Sequence, residues 1–204
     1  MILKDNFYWP DSDIDCHAAV LKEVYKIALL DKYLKQKEVC VQAGGNVGVF
    51  PRELAKQFET VYTFEPDADN FECLEENCPE HNIIMYKAAL GNDNKMVEVG
   101  VSRKDLKNNC GAYQVLGKGD TPTMMIDDLD LPACDLIYLD IEGYELFALM
   151  GGRDTIEKYK PVIVVENKDL PLMYGITKEE VIEYLVCMFG YNVKERVQRD
   201  VILA

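Results

Sequence analysis

The feature that most constrains this chain is the segment Val39-Cys40-Val41-Gln42-Ala43, an apolar run of strand length that stops at Gly44-Gly45-Asn46-Val47-Gly48. Phe50, Leu54 and Phe58 then recur at i, i+4 and i+8, and Pro51 falls in the first helical turn, where its missing N–H costs nothing. The segment therefore reads as strand, glycine turn and helix. The same alternation continues. Thr60–Phe64 is β-branched and aromatic, Asp67-Ala68-Asp69 signals a helix start, and Phe71, Leu74 and Cys78 carry that helix to Pro79. Ile83–Leu90 is a further strand, Asp135–Asp140 a buried one feeding a helix over Tyr144–Met150, and Pro161–Glu166 has the unbroken apolar character of a central parallel strand. Thr177-Lys178-Glu179-Glu180 is a capping box for a helix closed by Gly190, and Tyr191–Val197 and Arg199–Leu203 are spaced as an antiparallel terminal pair. Strands alternating with helices predict an α/β fold, a single Rossmann-like, doubly wound and mostly parallel sheet.

Two regions lie outside this alternation. Val20, Val24, Ile27, Leu30 and Leu34 predict one amphipathic helix over Ser12–Lys35, behind Asp11-Ser12-Asp13. Lys95–Val101 and Ala112–Leu116 predict a local hairpin around a polar loop with Cys110 and Gly111. At 204 residues one core is expected, with residues 1–38 an arm and helix belonging to the domain of residues 39–204. The aromatic stretch Asn6-Phe7-Tyr8-Trp9-Pro10 either packs on the domain or closes over it as a lid.

Charge narrows the partners. With 22 Lys+Arg against 36 Asp+Glu the net charge is -14, which repels a phosphate backbone or an anionic membrane, so neither nucleic acid nor membrane is expected as a partner. The longest apolar runs are of strand length, the N-terminus lacks a signal-peptide pattern, and a cytoplasmic location is expected. Seven Cys without C-x-x-C, and only His17 and His81, predict reduced, mostly buried thiols and no structural metal.

In such a fold ligands bind beyond the carboxyl ends of the strands. Glycines at Gly44, Gly45 and Gly48 let a ligand approach the backbone, and the helix start behind them favours an anionic group. The spacing is not the dinucleotide pattern G-x-G-x-x-G. Glu65, 21 positions after Gly44, stands where a carboxylate receives both hydroxyls of a ribose. Asp140, Glu142 and Glu166 end the later strands and can converge on the same crevice. Hard cations favour such carboxylates, but without conventional ligand spacing no metal is assigned.

The runs Val41 to Phe50, Thr63-Phe64-Glu65-Pro66, Ala88-Ala89-Leu90-Gly91, Ile126-Asp127-Asp128-Leu129 and Asp135 to Glu145, with Pro161 to Glu166, together resemble the FkbM-like methyltransferases. The resemblance implies a class I S-adenosylmethionine-dependent methyltransferase, a seven-stranded sheet with an antiparallel last strand, and methyl transfer to an oxygen, in preference to a nitrogen, of a small molecule or sugar. It implies S-adenosylmethionine held by Gln42, Gly44, Gly45, Asn46, Gly48, Glu65, Pro66, Ala89 and Asp140, and catalysis at Asp140, Glu142 and Glu166. The chain departs from the family at Gln42, where Asp is usual, and at Tyr138, where Lys is common. A nicotinamide-dependent oxidoreductase and a SAM-binding protein without catalysis are the alternatives.

Overall fold

The computed structural model describes residues 1–204 except Asp15, which falls in the expected first helix, and Lys104, Asp105 and Lys107, which fall in the polar loop. The chain begins with a short hairpin, β1 (Ile2–Lys4) and β2 (Phe7–Trp9), then α1 (Cys16–Glu23) and α2 (Lys26–Leu29). Next come β3 (Val39–Ala43), α3 (Val49–Leu54), β4 (Thr60–Phe64), α4 (Ala68–Asn77), β5 (Ile83–Tyr86), β6 (Ala89–Leu90), β7 (Met96–Gly100) and β8 (Gln114–Met124). The second half holds β9 (Leu136–Leu139), α5 (Glu145–Met150), α6 (Arg153–Tyr159), β10 (Val162–Glu166), α7 (Lys178–Phe189), β11 (Val193–Val197) and β12 (Asp200–Leu203).

Seven strands form the main sheet in the order β11-β12-β10-β9-β3-β4-β5. β5, β4, β3, β9 and β10 are parallel, and β12 enters antiparallel between β10 and β11. Chain order reverses between β3 and β9, which opens a crevice at their carboxyl ends. The central strands are buried on both faces because alternate side chains serve two cores. Val41, Ala43, Ile137, Leu139 and Val165 pack under Leu149, Ile156 and Leu185 of α5, α6 and α7. Cys40, Leu136, Tyr138 and Val164 pack under Ile27, Leu54 and Leu74 of α2, α3 and α4. Helix ends follow local chemistry: the Asp67 side chain accepts the N–H groups of Asp69 and Asn70, and Thr177 and Glu180 cap α7 reciprocally before Gly190 ends it at φ 74°.

The expected helix over Ser12–Lys35 is interrupted. α1 stops at Glu23, α2 restarts at Lys26, and a 3-10 turn at Leu30–Lys32 completes the region. The break accompanies an inward-facing lysine that apolar periodicity does not register: the Lys26 ammonium is 5% exposed and lies 3.0 Å from both Glu23 and Asp200. Asp200 also accepts the Tyr138 hydroxyl at 2.9 Å. The expected strand over Ile83–Leu90 divides after Tyr86, because Ala89 and Leu90 pair with Thr123 and Met124 in a second, three-stranded sheet. The expected hairpin is present as β7 and β8, with β8 reaching Met124. The aromatic arm packs on the domain: Trp9 is fully buried, and Tyr8 exchanges two backbone hydrogen bonds with the Asn77 side chain. Among the described residues all seven cysteines are free, six are buried, and no helix is long and apolar enough to cross a membrane.

Burial works to lower the pKa of Lys26, but the Asp200 charge and the hydrogen bond to Glu23 outweigh it, and the net shift is upward. Burial also pushes the Asp200 carboxyl up, against the Lys26 charge, so each group relies on the other and removing one strands its partner. Lys26→Met is expected to cost about 3–5 kcal/mol in urea denaturation by leaving Asp200 buried without its cation, and a paired Lys26→Met/Asp200→Leu change is expected to recover part of that, the Tyr138 hydroxyl then lacking its acceptor. Equal losses in the single and paired variants would show that the ammonium does not serve Asp200.

Candidate active site

Sheet register assembles the site. Phe64, Ala43, Leu139 and Val165 form one row across β4, β3, β9 and β10. One residue further on, the chain places Glu65, Gly44, Asp140 and Glu166 side by side at the carboxyl ends of those strands. A single cleft runs along this row, lined by Gln42, Gly44, Gly45, Asn46, Glu65, Pro66, Ala89, Asp140, Glu142 and Glu166. Cys16, Ala19, Val20 and Glu23 of α1 form one wall, and the segment from Cys110 to Val115 forms another.

At one end the glycine turn lies over β4. Gly44 and Gly45 both donate N–H to the Phe64 carbonyl, at 3.1 and 2.8 Å. Gly44 has φ 83°, and a Cβ there would stand 1.9 Å from the Asp140 carbonyl oxygen, so β3 and β9 approach as closely as they do only with glycine at this position. Asn46, itself left-handed at φ 47°, donates its N–H to Glu65 Oε2 at 2.7 Å, while Asp67 N–H reaches Oε1 at 2.8 Å. Each Glu65 oxygen keeps a lone pair for a ligand. Burial pushes the Glu65 carboxyl up to about 7, against the pull of those two N–H groups. Gln42 is buried and internally satisfied, donating to the Gly44 carbonyl at 2.9 Å and accepting from Thr63.

At the other end the carboxylates meet. Oxygens of Asp140, Glu142 and Glu166 lie within 4.8 Å of one another. Lys168 reaches across them, 3.2 Å from Glu142 Oε1 and 2.5 Å from Glu166 Oε1. Burial, then the neighbouring Asp140 charge, raise the pKa of both glutamates. Burial opposes the charge on Lys168, but Asp140, Glu166 and Glu142 outweigh it and hold the group as an ammonium. Glu142 is left-handed at φ 54°, a conformation that costs a non-glycine residue about 1–3 kcal/mol. Glu145 braces that loop from behind, its Oε1 accepting from Ile141 and Gly143 N–H, both at 3.2 Å.

Gly48 is the one expected ligand-binding residue that stands apart from the cleft. At φ 97° its missing side chain admits Cys78 and Leu74, so the glycine serves helix packing. Tyr138 lines the cleft but directs its hydroxyl to Asp200. Four contributors had no assigned role from sequence. Lys168 was visible only as the residue two beyond Glu166. Arg199 comes from the β11–β12 turn. Gln114 donates to the Glu142 carbonyl at 3.1 Å, and Asn70 shares the Cys110 carbonyl with Asn46, at 2.7 and 2.9 Å.

The sheet order, the inserted antiparallel strand and the strand-end cleft define the class I methyltransferase fold. The chain belongs to the methyltransferase FkbM domain family, whose model matches residues 42–193. It is similar to the crystal structure of a methyltransferase FkbM from Methylobacillus flagellatus KT, with TM-score 0.54 and 21% identity over 82% of this chain. The chain spans 43% of that protein's length. A precorrin 8W decarboxylase from Methanobacterium thermoautotrophicum aligns over 100% of this chain and 99% of its own, at TM-score 0.59 and 17% identity. A precorrin-6y C5,15-methyltransferase from Geobacter metallireducens GS-15 aligns over 98% and 92%, at 0.54 and 14%. A search of curated proteins found no match.

The contact between Gly44 and Asp140 separates conformational strain from steric exclusion. Gly190 has a similar φ of 74° with nothing within 4 Å of an added Cβ. Gly190→Ala is expected to lose about 1–2 kcal/mol from the left-handed conformation alone. Gly44→Ala should lose at least about 1–3 kcal/mol beyond that, because the methyl meets backbone rather than a movable side chain. Thermal or urea denaturation of the two variants checks this, and equal losses would contradict the close approach of β3 and β9.

Proposed function

We propose that the protein is an S-adenosylmethionine-dependent methyltransferase acting on an oxygen of a small molecule or sugar. The observation that carries this reading is the single row in which a buried carboxylate with spare acceptor capacity, a glycine turn and a cluster of acidic side chains share one cleft. The donor set suits the cofactor. Glu65 offers both oxygens to ribose hydroxyls, with its orientation already set by Asn46 and Asp67, so little ordering is left to the binding event. Gly44 and Gly45 bring bare backbone to the cleft, Pro66 and Ala89 give it apolar surface, and Gln42 holds the turn by donating to the Gly44 carbonyl without adding a charge.

When bound, S-adenosylmethionine supplies an electrophilic methyl group. The chain then has to align an acceptor oxygen with it and remove one proton. Asp140 is the residue we assign to that task, since it lies between the glycine turn and the carboxylate end and is half-buried with access to the cleft. Glu142 and Glu166 set the polarity of the acceptor side, and Lys168, held as an ammonium, steadies both. Residues of α1 and of the segment Cys110 to Val115 wall the cleft beside these groups.

Calorimetry with S-adenosylhomocysteine, with NAD in parallel, tests the reading. A proton on Glu65 competes with the ribose for the same lone pairs, so the ionised form binds. Affinity for S-adenosylhomocysteine is therefore expected to be level above about pH 8 and to fall about tenfold per pH unit below the Glu65 pKa of about 7. Glu65→Gln should weaken binding roughly ten- to a hundredfold at pH 8 and flatten the pH profile. Binding of NAD without binding of S-adenosylhomocysteine would overturn the function, and a pH-independent affinity would remove Glu65 from the ribose.

A further inference from the structure

The acidic end of the cleft contains more negative charge and more unused oxygen than methyl transfer requires. Asp140, Glu142 and Glu166 present three carboxylates to one space, and Lys168 with Arg199 supplies two cations to the same cleft. The Glu166 side chain is only 7% exposed. Its Oε1 meets Lys168, but its Oε2 is buried with no hydrogen-bond partner. Glu80 Oε2 and Glu145 Oε2 are also buried without a partner, but of the three only Glu166 lines the cleft, where a ligand can reach its oxygen.

We propose that Asp140, Glu142 and Glu166 form a binding site for a hard divalent cation of the Mg²⁺, Mn²⁺ and Ca²⁺ class. Mg²⁺ holds oxygens at about 2.0–2.1 Å and Ca²⁺ at about 2.3–2.6 Å, so two ligand oxygens lie up to about 4–5 Å apart, and oxygens of the three carboxylates lie within 4.8 Å of one another. All three donors are oxygens, which selects hard cations over the softer ions that favour sulfur or imidazole. Asp140 and Glu142 are half-buried and face the cleft, leaving coordination positions for water or for an acceptor oxygen, while buried Glu166 anchors the ion from the strand. Lys168 is the present counter-cation of Glu142 and Glu166, and it competes with the metal for their oxygens. Sequence spacing does not announce such a site, because Asp140 and Glu142 leave β9 and Glu166 leaves β10, and only parallel register aligns them. The site is defined by these side chains without the cofactor, so its failure leaves the methyl-transfer reading standing.

Electron paramagnetic resonance of Mn²⁺ titrated into the cofactor-free protein reads the site directly. One saturable Mn²⁺ per chain is expected, with affinity at least about tenfold weaker in Glu166→Gln of native circular dichroism. Lys168→Met removes the competitor and no ligand, and is expected to tighten Mn²⁺ by about threefold or more. Absence of saturable binding up to about 1 mM, the weak end for oxygen-ligand sites, overturns the proposal. So does an unchanged affinity in folded Glu166→Gln, which would place the ion elsewhere on this acidic chain. If Glu166→Gln does not fold, Lys168→Met decides, since equal or weaker binding there shows the cluster to be a closed ion pair.

Discussion

Everything at the functional end of this molecule depends on how closely β3 and β9 approach where they leave the sheet. A Cβ at Gly44 would fall 1.9 Å from the Asp140 carbonyl, and Asp140 N–H donates to the Ala43 carbonyl at 3.1 Å. With that contact closed, the glycine turn folds back over Phe64 and delivers the Asn46 N–H to Glu65. Asp140 is left beside the turn, in line with Glu166 on the next strand. A cleft whose two ends carry different chemistry thus follows from one close backbone approach at the point where chain order reverses.

The same row explains where the molecule tolerates buried charge. Glu65 is buried, and the two N–H groups it accepts oppose the upward push of burial on its carboxyl. Asp200 pairs with Glu166 in the register of β10 and β12, yet its carboxylate turns to Lys26 and Tyr138. Tyr138 therefore joins the carboxylate row to the N-terminal helices. The first residues of the chain contribute a wall of the cleft through α1 and a buried cation through α2, and they belong to the same packed body as the sheet.

Much of this was legible in the sequence, and for identifiable reasons. β3, β9 and β10 are buried on both faces, so they read as apolar runs, and Gly44, Asp140 and Glu166 could be found because each stands at the end of one, while Glu65 follows the β-branched and aromatic β4. The helix boundaries at Asp67, Thr177 and Gly190 were visible because their caps are made by neighbouring residues. What was not legible depends on distant pairing. Lys26 looks like any surface lysine until Asp200 is placed opposite it, and Ala89-Leu90 looks like the end of a strand until β8 takes it into another sheet. Gly48 looked like a ligand-binding glycine but makes room for Cys78. Lys168 and Arg199 reach the cleft from a loop and a turn, Gln114 from the first residue of β8 and Asn70 from α4, where no periodicity marks them.

The central claim is that the strand-end row binds S-adenosylmethionine with its ribose at Glu65 and its reacting end towards Asp140. A crystal structure of the protein with S-adenosylhomocysteine tests this most directly. The account predicts both ribose hydroxyls within hydrogen-bond distance of the Glu65 oxygens, the amino acid moiety against the Gly44–Asn46 turn, and the sulfur facing the side of the cleft formed by Asp140, Glu142 and Glu166. Density for the ligand outside this cleft, or a ribose away from Glu65 with that carboxylate still bound only to Asn46 and Asp67, would contradict it.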